Sequence, residues 1–366
     1  MKLLVDFSPI KSGGGAQLAI NFLKFFKSDC EFDVLISDSF PYNINELNLE
    51  CNVITSSAKI LPRFFFENYR YKKIVYNNNY THVYTFFGAG LPKINGVKQV
   101  TGVAYPIICN DDSPYWDFLP SLFKFKKKIV NFVRKKRLKT ADHIIFETEV
   151  MQSRCCDVLN FNIRNTTVLA PTPSFFIKTA KVIDRREITK FLILAGLDYH
   201  KNIWRIVQLL PELKKNNVRV EFVLSSTKAQ LLSFYRNLIN DVNEELINEF
   251  FEFRGHIQAD KIQEVYDDID VVMNIADLES FSNNYMEAWV AGKPILASDR
   301  DFARHICKES AYYVEPHDRD SLLSGIVKFA NNELDTRAMV MQGKLNLSNL
   351  PVFEERAIKI LEVIKG

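Results

Sequence analysis

The chain has 366 residues, of which 47% are apolar and 25% charged; it is too long for one ordinary core, and its composition excludes a largely disordered protein. No apolar run approaches the ~20 residues that cross a bilayer, and the opening MKLLVDFSPI has an acidic Asp6 and no small-residue cleavage site, so it reads as a strand rather than a signal peptide. The net charge of +3 hides an asymmetry: residues 1–180 carry 23 Lys and Arg against 15 Asp and Glu, whereas residues 181–366 carry 24 against 29, so the first half is expected to meet something anionic.

In chain order, KLLVDF is a strand followed by Gly13, Gly14 and Gly15 and a helical GAQLAINFLKFF. Three glycines at that turn permit a loop with amides exposed toward a phosphate, although a plain turn has the same pattern. There is neither a GxGxxG nor a Walker lysine, which argues against dinucleotide and ATP sites. DVLIS, HVYTFF, KQVTGV and HIIFE read as further buried strands, and their alternation with helices predicts a parallel sheet. Residues 124–139, KFKKKIVNFVRKKRLK, hold nine Lys or Arg in sixteen positions. Phe125, Ile129, Phe132 and Val133 fall on one face of that helix. It suits an anionic membrane surface, and RFFFENYRYKK at 63–73 supports the same reading; the alternative is a core-facing helix with a solvated basic back. No nucleic-acid recognition module is present. The six cysteines form no CxxC pair, so they are expected as reduced thiols without a metal site.

Residues 170–188 contain prolines and no clear period and read as a connection. The alternation then resumes with KFLILA, VRVEFVLS, FEFRG, DVVMNI, PILAS and AYYV, and the tail from about 335 is helical. The expected organisation is an N-terminal Rossmann-like domain over 1–172, a linker over 173–188, a second such domain over 189–334, and C-terminal helices over 335–366, the last returning to the first domain. In open α/β sheets, ligands lie beyond the carboxyl ends of the strands, so the loops after strands are the places for chemistry. The segment ADLESFSNNYMEAWVAGKPILAS, residues 276–298, follows one such strand. Ser282 or Asn283 can cap its helix, which stops at Gly292. That helix start suits a diphosphate, with Glu279 and Glu287 on either side for the hydroxyls of a sugar and a ribose. Two solvated surface glutamates are the plain alternative.

This segment resembles the signature of glycosyltransferase family 4, with Glu279, Phe281, Glu287, Ala288, Ala291, Gly292 and Pro294 in matching positions and Ser282 where the family commonly has Gly. AGLDYHKN, residues 195–202, resembles the family's phosphate-binding segment; Lys201 matches the lysine that contacts the diphosphate, and Leu197 stands where Arg is frequent. FEFRGHI matches the strand and glycine loop near the nucleobase; Gly255 allows close backbone approach, and Arg254 either stacks on or bonds the base or forms a structural salt bridge. The resemblance implies a GT-B fold, an α/β architecture of two Rossmann-like domains whose parallel sheets face a cleft. It also implies retaining transfer of a sugar from a nucleoside diphosphate donor, with Glu279 and Lys201 catalytic and no cofactor or metal. No DxD-like run contradicts this, since Asp111-Asp112 and Asp267-Asp268 are poor metal pairs. Gly13, Gly14, Gly15, Lys201, Arg205, Arg254, Gly255, Ser280, Phe281, Ser282, Asn283 and Glu287 are then the donor-binding set. The family's acceptor-side histidine has no counterpart in TGVAYPIICNDD, which leaves Tyr105, Asp111 and Asp112 on that side. The expected acceptor is a saccharide, lipid-linked through a polyprenyl diphosphate, in bacterial surface polysaccharide synthesis at the inner face of the cell membrane. A nucleotide-sugar epimerase and a non-catalytic scaffold on the same fold are the rival readings.

Overall fold

Runs rich in β-branched and aromatic residues alternate with amphipathic segments, and each run becomes a strand covered by the helix that follows it. The computed structural model describes residues 1–10, 14–26, 30–47, 49–181 and 187–366. The first half runs β1 (Lys2–Asp6), α1 (Gly14–Phe25), β2 (Glu31–Ser37), β3 (Val53–Ser56), α2 (Ile60–Phe65), α3 (Tyr71–Asn77), β4 (His82–Thr85), β5 (Lys98–Val103), α4 (Tyr115–Phe118), α5 (Ser121–Leu138), β6 (His143–Phe146), α6 (Glu149–Leu159) and β7 (Thr166–Val168). Next come β8 (Thr189–Ile193), α7 (Ile203–Lys215), β9 (Val220–Leu224), α8 (Lys228–Phe234), α9 (Glu244–Phe250), β10 (Phe251–Phe253), α10 (Ile262–Asp268) and β11 (Val271–Asn274). The chain continues with α11 (Asn283–Ala291), β12 (Ile295–Ser298), α12 (Asp301–Cys307), β13 (Ala311–Val314), α13 (Arg319–Ala330), α14 (Thr336–Ser348) and α15 (Phe353–Lys365).

Two compact units result. The first comprises Met1–Asp111, Pro120–Thr172 and Pro351–Gly366; the second comprises Asp112–Leu119 and Pro173–Leu350. In the first, seven parallel strands lie in the order β3-β2-β1-β4-β5-β6-β7. Leu3 and Val5 pack with Ala19 and Leu23 of α1 and with Ile360 and Ile364 of α15. Phe25 of α1 stacks on Phe353 of α15 at 5.7 Å. The opposite face packs Leu4 and Val83 against Tyr71 and Val75 of α3.

In the second unit, six parallel strands lie in the order β10-β9-β8-β11-β12-β13. Phe191 and Phe222 pack under α7 on one face; Leu192 and Val272 meet Tyr285, Met286 and Trp289 of α11 on the other. Residues 173–181 lie on this unit: Ile177 and Ala180 join the core under α11, and the Ala180 amide donates to the Ala291 carbonyl at 3.0 Å. Each sheet reverses its winding once, at β1/β4 in the first unit and at β8/β11 in the second, and such points leave a crevice beyond the strand ends.

Candidate functional site

The crevice at β8/β11 gathers two loops that the sequence had singled out. The first, residues 194–202, leaves β8 and is pinned at both ends. Asp198 accepts from the Tyr199 amide at 2.7 Å, and its carbonyl accepts from the Tyr235 hydroxyl at 2.7 Å. Asn202 takes φ +57°, a left-handed turn that asparagine tolerates, and its buried amide donates to the Ile275 carbonyl at 3.0 Å. The second loop leaves β11. Asn274 donates to the Ser282 hydroxyl at 2.8 Å, and Asn284 donates to the Leu194 carbonyl at 2.8 Å, tying one loop to the other.

Lys201 and Glu279, 78 residues apart, meet here: Nζ lies 2.5 Å from Oε1. Both side chains are about four-fifths buried, at 19% and 17% exposure, so water screens the pair less than a surface pair. Ser282 occupies the cap position of α11, but its hydroxyl accepts from Asn274 and makes no cap bond to the helix. This corrects the expected capping role, because the strand-end asparagine competes for that oxygen. The helix start therefore keeps its dipole, and Ser282 supplies no acceptor to it. Ser280 is buried, and Phe281 and Asn283 are half-buried beside it.

Glu287 is not a solvated surface glutamate. It is buried, it accepts from the Tyr266 hydroxyl at 3.0 Å, and burial pushes its carboxyl up to about 7. Arg254 forms the salt bridge that was the alternative to a base contact. Its guanidinium donates to Glu252 at 2.6 Å and to Asp268, and both carboxylates also bind Lys190 at 3.2 Å. Glu252 of β10 and Asp268 of α10 thus take its Nε and Nη2. Gly255 beside it has φ +64°, which glycine adopts without strain.

Arg205 sits over the Trp204 ring at 4.1 Å and the Phe118 ring at 5.3 Å. It donates to Asn202 Oδ1 at 3.1 Å and lies 3.0 Å from His317 Nδ1. His317 Nε2 is 2.9 Å from the Asp277 carboxylate. Arginine is only a donor, so Nδ1 accepts and the imidazole proton lies on Nε2. Asp277, buried, also takes Arg300 at 2.9 Å. Despite burial, these bonds hold its carboxyl below the usual range. Sequence reasoning missed Asp277, Arg300, His317 and Tyr266; Asp277, two positions before Glu279 on the same loop, was the one available signal.

The first unit has its own cavity, of about 630 Å³, beyond the β1/β4 strand ends. Tyr105 lines it, with Asp6, Arg63, Glu67, Arg134 and Arg137. Burial raises the Asp6 carboxyl above the usual range, although Ser8 and Thr85 donate to it at 2.9 and 3.1 Å. Asp111 instead forms an ion pair with Lys135 at 2.5 Å, and Asp112 is exposed and starts the segment that belongs to the second unit. Gly14 and Gly15 are the first residues of α1; Gly13 lies outside the described residues. Among the described residues no cluster of three His, Cys, Asp or Glu side chains is placed to hold a metal ion, and no helix is long and apolar enough to cross a membrane.

Residues 179–345 match the family model described as Glycosyl transferases group 1. No curated protein matches the chain in sequence. Among solved structures, WaaG, "a glycosyltransferase involved in lipopolysaccharide biosynthesis", superposes with TM-score 0.74 at 13% identity, covering 100% of both chains. Sucrose-phosphate synthase from Thermosynechococcus elongatus gives 0.72 at 14%, over 100% of this chain and 98% of that one. Anabaena Alr3699/HepE, in complex with UDP and glucose, gives 0.70 at 14%, over 100% and 99%.

Proposed function

We propose, from the premise that this chain is a glycosyltransferase of the GT-B fold whose second unit belongs to the glycosyl transferases group 1 family, that it moves a sugar from a nucleoside diphosphate donor to a lipid-linked saccharide. The anomeric configuration is retained, and the product serves bacterial surface polysaccharide synthesis at the cytoplasmic face of the cell membrane. The observation that carries this reading is the Lys201–Glu279 pair beside the start of α11, which Ser282 does not cap.

A diphosphate at that helix start takes its amides and Lys201 as counter-charges. Glu279 is then free to accept from sugar hydroxyls and to face the positive charge that develops as the bond to phosphate breaks. Lys201 meets the opposite charge on the leaving diphosphate. Glu287, deeper in the helix, accepts from the ribose. The Arg205–His317–Asp277 chain keeps the turn at Asn202 in place, and with it Lys201. The exposed apolar and basic residues of α5 support attachment to an anionic membrane.

A thermal-shift series with UDP-, GDP- and ADP-sugars tests the donor assignment. The cognate donor at 100 times its dissociation constant should stabilise the protein by about 2.7 kcal/mol, and Lys201→Ala should abolish most of that shift. No response to any nucleotide sugar would sink the proposal. Release of an epimer without acceptor would replace it with an isomerase.

A further inference from the structure

The cavity of the first unit combines a cationic wall with an apolar mouth, and neither is explained by the fold. Three arginines line it, but they are not equivalent. Arg63 donates to Glu67 Oε1 at 2.7 Å, and Arg137 meets Glu67 Oε2 at 2.6 Å, so one carboxylate serves both. Arg134 has no carboxylate partner among the described residues. Its guanidinium lies on the Tyr105 ring at 4.1 Å, and its Nη1, although buried, has no hydrogen-bond partner. Leaving a buried charged donor unmade is costly, so that nitrogen is directed at something the described residues do not provide. Against these three arginines the cavity sets two acids, Asp6 and Glu67, so its wall is net positive.

The mouth is apolar. Phe64 and Ile60 of α2, and Ile129, Val130 and Val133 of α5, line the cavity, yet all five are exposed, Ile60 at 86%. A group of exposed large apolar residues around a cavity marks a ligand groove, and the volume falls within the ~300–1,000 Å³ of small-molecule sites. A free anion would leave the mouth unused, and a plain hydrocarbon would leave Arg134 unpaired.

We propose that this cavity binds one phosphate-bearing amphiphile, with its phosphate on Arg134 and its hydrocarbon chain leaving between α2 and α5 over Phe64, Ile129 and Val133. It rests on the lipid-linked acceptor proposed above and assigns that acceptor's phosphate and chain to named residues. Tyr105 holds the guanidinium from below, so the phosphate approaches from the cavity side.

Titration calorimetry of the full chain with monomeric decyl phosphate tests this. Decyl phosphate should bind, with inorganic phosphate and decanol each at least about tenfold weaker, since the two halves of the site act together. Arg134→Gln should weaken decyl phosphate by about tenfold to a hundredfold, the loss expected for a charge-assisted hydrogen bond. Ile129→Glu, at an exposed position that tolerates charge, should weaken decyl phosphate and leave inorganic phosphate unchanged. The donor-induced thermal shift should persist in both variants and shows that the chain is folded. Lys126→Glu with Lys127→Glu should leave decyl phosphate binding intact. Decyl phosphate affinity unchanged in Arg134→Gln, or decanol binding as tightly, overturns the site. If the site fails while a lipid-linked saccharide still accepts sugar, only this inference falls. If it stands while only water-soluble saccharides accept, the acceptor class falls instead.

Discussion

Glu279 and Glu287 share one helix end but differ in environment, so they should fail differently. In the proposed transfer, Glu279 would face charge that develops only during bond cleavage, whereas Glu287 would face a ribose that does not change. Glu279→Gln should lower the rate at saturating donor by about a hundredfold or more, and Glu287→Gln should chiefly raise the donor concentration required. Steady-state kinetics decide, and equal binding-type losses would refute the division of roles. The Glu287 carboxyl adds a pH signature. Its folded value is raised by burial from 4.5 to about 7, so the native state holds that proton through a window where the unfolded chain has lost it. Its contribution is fully present below about pH 4.5 and is lost as pH rises through about 7, a change on the order of 3 kcal/mol. In urea unfolding, Glu287→Gln should gain on the parent by that amount between pH 5 and pH 8; a constant gap would show that the carboxyl is not held this way. The sequence made Lys201 and Glu279 legible because each sits just after a strand, where position alone predicts the crevice. It did not reveal the burial of Glu287, because Tyr266 lies on another helix, 21 residues away. For Arg254 it left a salt bridge open but not its partner, because Asp268 is brought there by the packing of α10.

Among the elements, α5 shows what periodicity can and cannot settle. The spacing of Phe125, Ile129, Phe132 and Val133 gave a helix with one apolar face, and the helix forms over Ser121–Leu138. Periodicity alone did not tell whether that face meets a core or solvent. In the folded chain all four are exposed, Phe132 at 70%, which removes the core-facing alternative. Lys126→Glu, Lys127→Glu and Lys136→Glu together should release the protein from anionic vesicles, since each basic residue near such a surface contributes about 1 kcal/mol. Lys135 is left alone because Asp111 holds it. Sedimentation with vesicles at two salt concentrations measures this, and binding indifferent to both charge and salt would refute the electrostatic account. The strands β3 and β7 were not legible. VITS and TTV are three or four residues long and mostly half-buried at the ends of the first sheet, so they carry too little apolar pattern to separate from loops.

On the scale of the whole molecule, two parallel sheets were readable from the alternation of strands and helices, with five of the seven strands of the first and all six of the second; their strand orders were not, because order is decided by which helix covers which face. The first unit closes its core with α15. Ile360 is fully buried there, so Ile360→Ala should cost about 2–5 kcal/mol, whereas exposed Ile358→Ala should change stability by about 0.5 kcal/mol or less. Denaturant titration of the two variants would show it, and equal effects would mean that α15 is not part of the core. The same arrangement has a consequence on the ribosome. Leu3, Val5 and the α1 face that α15 covers are made first, but their cover is translated only after residues 173–350. At about 5–20 residues per second, that interval lasts roughly ten to forty seconds. Throughout it, the nascent chain carries a greasy groove while the residues of the second unit are still emerging. Translation arrested at residue 350 should therefore yield a product recognised by chaperones that bind apolar surface, and release of the last helix is the step that ends its dependence on them.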